Sequence, residues 1–512
     1  VVIRRVRAPR IDFGALRREL ELPQEFPAAA QREADQVAAD PPAPSATDRT
    51  DLALVTIDPP TAMDLDQALR LERRAGGYRV YYAISDVASY VIPGGALEAE
   101  TWRRGETVYL PDGKVPLHPP VLSEGAASLL PDQVRAAVLW TIDLDSAGRT
   151  VGARVERAMV RSRAKLDYAT VQAAADAGRA PDPVALLPEV GKLLVDQSLA
   201  RGAMNLPLPE QEVEPDGDGY RLVLRAPVPA EEYNAQVSLL TGMAAAAMML
   251  DGGVGLLRTM PDPRPQAVDT LRAAARALGV AWPDGVGPGQ VLEQVDPADP
   301  RGAAFVDQAA DLMRGAGYTA FDGSRPERDR HGAVAAPYAH VTAPLRRLAD
   351  RYATEVCLAL AAGRPVPEWA RAALPKLPEV MAASARRAGA AERGAVDLTE
   401  AVLLRDRVGE SFEVAVLDVD AAPRGGNHGG GGGRGSAGPA STGDGAGPAG
   451  TGDGAGAGDG AGGRRFGGTV ALDDPPVRAR CDADRPLPLG QRVRVSLAEA
   501  DPQTRRVLFH YP

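Results

Sequence analysis

Apolar positions follow two rhythms along this 512-residue chain. The runs LALVTID (52–58), YRVYYAISDVASYV (78–91), VRAAVLWTIDL (134–144) and ARVERAMV (153–160) are short and rich in β-branched and aromatic residues, which predicts strands. Later the spacing becomes helical, in VSLLTGMAAAAMML (237–250), QAVDTLRAAARAL (266–278) and PLRRLADRYATEVCLALAA (344–362). Strands first and helices afterwards suggest an α+β domain rather than a regular alternation. A third pattern closes the chain. ESFEVAVLDVD (410–420), GTVAL, PVRARC, QRVRVSLAE and RRVLFHY read as five short strands separated by turns, the signature of a small OB-type barrel.

One segment fits neither rhythm. Of the 55 glycines, 22 fall between Gly425 and Gly468, with no apolar face to offset the entropy of ordering. Residues 424–465 are therefore expected to form a flexible loop inside the barrel, after its first strand. Arg424 and Arg434 are too few to make it an RNA-binding glycine–arginine tail. The chain divides into a lead-in over 1–50, a large domain over 51–408 and the barrel over 409–512.

Composition bounds the rest. A chain of this length exceeds one ordinary domain of roughly 100–200 residues. Two cysteines, Cys357 and Cys481, exclude a disulfide framework and a multi-thiolate zinc site. No run approaches the ~18 apolar residues of a membrane span. The charged opening VVIRRVRAPR has no apolar core of a signal peptide, so a cytoplasmic setting is expected. The formal net charge of −10 weighs at first against a nucleic-acid partner. Net charge averages over the molecule, however, and the balance is locally positive around Arg346 and from PVRARC through QRVRV.

The chemistry concentrates in two stretches. In VTIDPPTAMDLDQAL, Asp58 ends an apolar strand and a Pro-Pro turn leads to Asp64 and Asp66. Three carboxylates gathered by a strand end and a turn repel one another unless a cation sits among them. Hard oxygen ligands of this kind suit magnesium, and paired metal ions cleave phosphodiesters. From spacing alone an acidic surface turn is the weightier reading, because Asp is common in turns. In YAHVTAPLRRLADRY, Thr342 is predicted to cap a helix with Pro344 in its first turn and Arg346 and Arg347 following at once. Cations there oppose the helix dipole, which makes more sense if an anion is bound; solvent-facing arginines are the equal alternative.

Together these stretches resemble the catalytic RNB domain of the RNase II/RNase R family of exoribonucleases. The family signature TID-x5-D-x-D-D-A is similar to TIDPPTAMDLDQA, and its next block to ISDVASYV followed by RRGETVYLPDGKVPLHPPVLSEGAASLLP. AKLDY (164–168), HVTAPLRRLADR (340–351) and AGAAERGAV (388–396) resemble further family motifs, and the barrel resembles an S1-type RNA-binding domain. The resemblance implies a mixed sheet surrounded by helices. It implies that Asp58, Asp64 and Asp66 hold Mg2+ or Mn2+, with Asp66 the most important for chemistry, and that Arg346 stabilises the scissile phosphate. Tyr109 would stack on the 3′-terminal base, while Glu392 and Arg347 would contact RNA. The implied activity is 3′→5′ hydrolysis of single-stranded RNA to nucleoside 5′-monophosphates, by a monomer needing no small-molecule cofactor beyond the metal.

Four departures accompany the resemblance. Gln67 replaces the fourth acid of the signature, leaving a neutral amide oxygen as a weaker possible ligand. Ala343 replaces a serine, no aromatic stands in RTMPDP (258–263) where a second stacking residue is expected, and no cold-shock domain is readable in residues 1–50. Gln67 keeps open the alternative of a catalytically impaired RNB protein acting as an RNA-binding or scaffold subunit. His118, His331 and His340 lack zinc-ligand spacing and are expected to make structural hydrogen bonds.

Overall fold

A computed structural model describes residues 2–41, 46–206, 210–420 and 466–512. The loop expected over 424–465 lies outside the described residues.

The large domain is α+β, and its sheet is mixed. Five of its strands close into a ring: Leu54–Ile57, Gln67–Arg74, Gly77–Ser85, Val134–Asp145 and Thr150–Leu166. Closure depends on the last strand, whose 17 residues are enough to serve two neighbours. Its first part runs antiparallel to Val134–Asp145, and its end runs parallel to Leu54–Ile57, with Ile57 opposite Leu166. Successive strand residues enter different cores. Val80, Tyr82 and Ile84 pack with Trp140 and the helices, whereas Tyr81 and Ala83 pack with Leu54, Leu65 and Leu139 on the opposite face. Burial on both faces explains why these strands read as continuous apolar runs rather than alternating ones.

Two helices, Pro229–Gly252 and Leu348–Ala361, cover one face of the ring. Gly242 lets the first approach the loop ahead of the second. A Cβ there would sit 2.2 Å from the Tyr338 ring and 2.5 Å from the Ala339 carbonyl oxygen. The Ala339 N–H instead donates to the Gly242 carbonyl at 3.1 Å.

The second helix starts later than its sequence suggests. It begins at Leu348, and Thr342 does not cap it. Residues 346–348 are drawn out to pair with residues 105–107, through Thr107 N–H to Arg346 O (3.0 Å) and Leu348 N–H to Gly105 O (2.9 Å). This pairing holds Arg347 in an extended conformation, φ −133° and ψ 125°, and leaves Pro344 to Arg346 in a turn.

The N-terminal residues pack onto the large domain. Val2–Ala8 pairs with the hairpin formed by Glu210–Asp216 and Gly219–Arg225. Glu33, on helix Ala28–Ala39, accepts the backbone N–H groups of Ala96 and Leu97 at 2.8 Å each, satisfying the free amides that open helix Ala96–Arg104.

The C-terminal strands form the expected closed barrel, Ser411–Val419, Phe466–Leu472, Val477–Ala483, Arg506–Tyr511 and Arg492–Asp501 in spatial order. The barrel meets the long helix Leu377–Leu404 through buried Glu400, which accepts from Arg478 N–H (3.0 Å) and Gln211 Nε2 (2.7 Å). No helix among the described residues is long and apolar enough to cross a membrane.

Candidate active site

Asp58, Asp64, Asp66, Gln67, Tyr109 and Arg346 line one cavity of 1140 Å3. Sequence distances of up to 288 positions collapse there because three strand ends and two loops meet at one rim of the ring.

Asp58 and Asp66 are each placed by a backbone anchor. The Asp58 N–H donates to Leu166 O at 3.0 Å, extending the parallel pairing beyond Ile57. The Pro-Pro turn after it is clamped by Lys165, whose Nζ donates to Pro60 O (2.7 Å) and Ala62 O (2.6 Å). Ser128 then fixes the approach to Asp66, accepting from Leu65 N–H (3.0 Å) and donating to Met63 O (2.7 Å). Asp66 is 3% exposed and accepts Leu345 N–H at 2.8 Å.

Burial away from water raises the Asp66 carboxyl to about 8 and the Asp58 carboxyl to about 6, with Arg346 opposing both shifts. Arg346 is exposed to the cavity. The residue before it is pinned twice, because Leu345 also offers its carbonyl to His118 Nδ1 at 3.1 Å. Burial holds His118 down at about 4, so the ring is neutral and carries its proton on Nδ1. The structural hydrogen bond expected of this histidine thus positions the arginine turn.

Asp64 is bound differently. Lys114 Nζ lies 2.8 Å from its Oδ1, and the Tyr109 hydroxyl donates to its Oδ2 at 3.1 Å. Tyr109 itself is 49% exposed, on the hairpin of Val108–Leu110 and Gly113–Val115.

The donors suit a hard divalent cation. Asp58 Oδ2 is buried yet has no hydrogen-bond partner, which costs free energy unless something else engages it. Among the described residues, no three His, Cys, Asp or Glu side chains converge closely enough to enclose an ion by themselves. Magnesium does not require that, being held by one or two carboxylates with water and phosphate supplying the rest. Gln67 has another occupation: its Nε2 donates to Thr342 O, tying the carboxylate segment to the arginine loop.

Two expected RNA contacts lie outside the cavity lining. Arg347 turns away, its guanidinium bonded to the buried Asp350 at 2.8 and 3.0 Å. Glu392 is exposed on helix Leu377–Leu404.

A profile of the RNB domain matches residues 46–360, well over half of the chain. The protein belongs to the RNB family. A second profile, the RNase II-type exonuclease C-terminal S1 domain, matches residues 458–511. Ribonuclease R of Escherichia coli (strain K12) is 28% identical over 400 residues, covering 73% of this chain and 48% of that protein. The chain spans about half the length of such relatives, or less. In three dimensions this RNB protein is similar to the apo form of Mycoplasma genitalium RNase R, with a TM-score of 0.77 at 19% identity, covering 97% of this chain and 77% of that one. It is also similar, with a TM-score of 0.58 at 16% identity, to yeast Ssd1, described as a pseudonuclease, covering 73% of this chain and 47% of that one.

Three residues that line or brace the RNB cavity escape sequence reasoning. Lys114 and Lys165 lie within family-like motifs, but a single lysine carries no spacing signal. Tyr220 lines the cavity with Lys114, from the hairpin that pairs with the N-terminal strand. Only tertiary structure brings that hairpin to the rim.

Proposed function

We propose that this RNB protein is a magnesium-dependent 3′→5′ exoribonuclease that hydrolyses single-stranded RNA to nucleoside 5′-monophosphates, working as a monomer. The observation that carries the reading is the shared cavity, where Asp58, Asp64 and Asp66 face Arg346 and a half-exposed Tyr109.

Each residue has a role that follows from its placement. Asp58 and Asp66 would hold Mg2+, or Mn2+, with Asp58 Oδ2 a buried oxygen that no protein donor engages. When bound, the metal supplies Lewis-acid activation of water and phosphate. Arg346, on a turn fixed by Leu345, offers its guanidinium to the phosphate oxygens and stabilises the charge that grows there during hydrolysis. Tyr109 stacks on the terminal base, a contact tolerant of sequence because every base has a π-face. Pinning of the arginine turn by Asp66 and His118 reduces the reorganisation needed when RNA binds.

A second reading, an RNA-binding RNB protein without cleavage, draws on Gln67, whose amide serves the scaffold instead of adding a fourth negative charge. The two separate in one experiment. A 5′-labelled single-stranded RNA with Mg2+ is shortened progressively by the exonuclease, with monophosphate release. Intact RNA that still shifts on a native gel favours the binder.

A further inference from the structure

Lys114 stands on the strand Gly113–Val115, beside the strand that carries Tyr109. Its Nζ lies 2.8 Å from Asp64 Oδ1 and 2.9 Å from Glu124 Oε1, so one ammonium bridges two carboxylates on the cavity wall. All three side chains are substantially withdrawn from water, at 22%, 11% and 32% exposure. Charge-assisted bonds in such a setting are stronger and less screened than those of a surface pair.

The consequence is an asymmetry between the aspartates. Both oxygens of Asp64 are engaged by protein donors, Lys114 on one side and the Tyr109 hydroxyl on the other. Asp58 Oδ2 is engaged by none. A cation that reaches the buried Asp58 carboxylate meets an oxygen for which no protein donor competes. At Asp64 it must displace, or tolerate, a positive charge already there.

We propose that Lys114 is a positioning residue that acts as a resident cation at the Asp64–Glu124 side of the cavity. It competes with the divalent ion for Asp64 and steers that ion toward Asp58 and Asp66. This rests on the divalent-metal reading of the proposed function and goes further by assigning part of the site's positive charge to the protein itself. Neutralising Lys114 should leave Asp64 and Glu124 as uncompensated neighbours, and a metal ion should relieve their repulsion.

The test is a calorimetric titration of Mn2+ into the RNA-free full chain, with K114M, K114Q and K114R beside the wild type. Thermal melts in the absence of metal establish which variants fold. K114M and K114Q should bind Mn2+ at least about tenfold more tightly, or bind an additional equivalent, because a competing unit charge has gone. K114R, which keeps the charge, should behave like the wild type. Unchanged affinity and stoichiometry in whichever neutral variant folds overturns the proposal, as does equal tightening in K114R. If Mn2+ binds the wild type and is lost in D66N while the neutral variants match the wild type, only the role of Lys114 fails. If no variant binds Mn2+, the divalent-metal reading fails with it.

Discussion

The carboxylate of Asp66 accepts the backbone N–H of Leu345 at 2.8 Å, across 279 positions of the chain. This one bond ties the acidic segment to the turn carrying Arg346, and it lets charge be separated from shape. Asn in place of Asp66 keeps an oxygen able to accept from Leu345, so the turn should hold while the negative charge disappears. Asp66→Asn should lower single-turnover cleavage by at least about 100-fold, the scale of losing one preorganised electrostatic contact. RNA affinity in a gel-shift titration should stay within about twofold of the wild type, since the binding surface retains its shape.

Adjacent arginines should fail in different ways. Arg346→Ala should reduce the cleavage rate strongly with little change in melting temperature, because the side chain faces the cavity. Arg347→Ala strands Asp350, whose side chain is 0% exposed, without its charge partner. Breaking such a pair costs about 3–5 kcal/mol, so this variant should melt markedly lower in denaturant. Paired activity and urea-unfolding measurements distinguish the two outcomes.

Gln67 bears on metal binding and stability with opposite signs. Asp at this position loses the donor to Thr342 O and sets a carboxylate near a carbonyl oxygen. Gln67→Asp should destabilise the metal-free protein by about 1–3 kcal/mol, the cost of an unsatisfied buried group. It should also bind Mn2+ more tightly than the wild type. Melting with and without Mn2+ reads both effects, and the metal-induced increase should be larger in the variant.

A stability slope with pH is expected from Glu400. Burial raises its carboxyl from 4.5 to about 8 in the folded chain. Below pH 4.5 both folded and unfolded chains hold the proton. Between 4.5 and 8 the unfolded chain releases it and the folded one does not, so stability falls as pH rises, by at most about 1.4 kcal/mol per unit. Glu400→Gln can still accept from Arg478 and Gln211, and it should flatten the decline in melting temperature between pH 5 and 8.

Much of this architecture is legible in the sequence, for physical reasons that differ by element. The ring strands are visible because residues such as Val80 to Ile84 are buried on both faces and leave an unbroken apolar run. Asp58, Asp64 and Asp66 share a cavity because one strand end and one turn suffice to gather them. Helix Leu348–Ala361 is visible, but its start is displaced, since pairing of 346–348 with 105–107 is a long-range contact that local capping signals do not record. The same contact separates Arg346 from Arg347, which look equivalent in sequence. Lys114 meets Asp64 only because a hairpin folds back over the carboxylate segment, and Gln67 meets Thr342 across 275 positions.

The central claim, that this cavity hydrolyses RNA from its 3′ end, is tested most directly by incubating the protein and its Asp66→Asn variant with 5′-labelled single-stranded RNA and Mg2+. The wild type should shorten the label stepwise while releasing nucleoside 5′-monophosphates, and the variant should bind the RNA and leave it intact. Intact RNA with the folded wild-type protein, or equal shortening by both proteins, would contradict it.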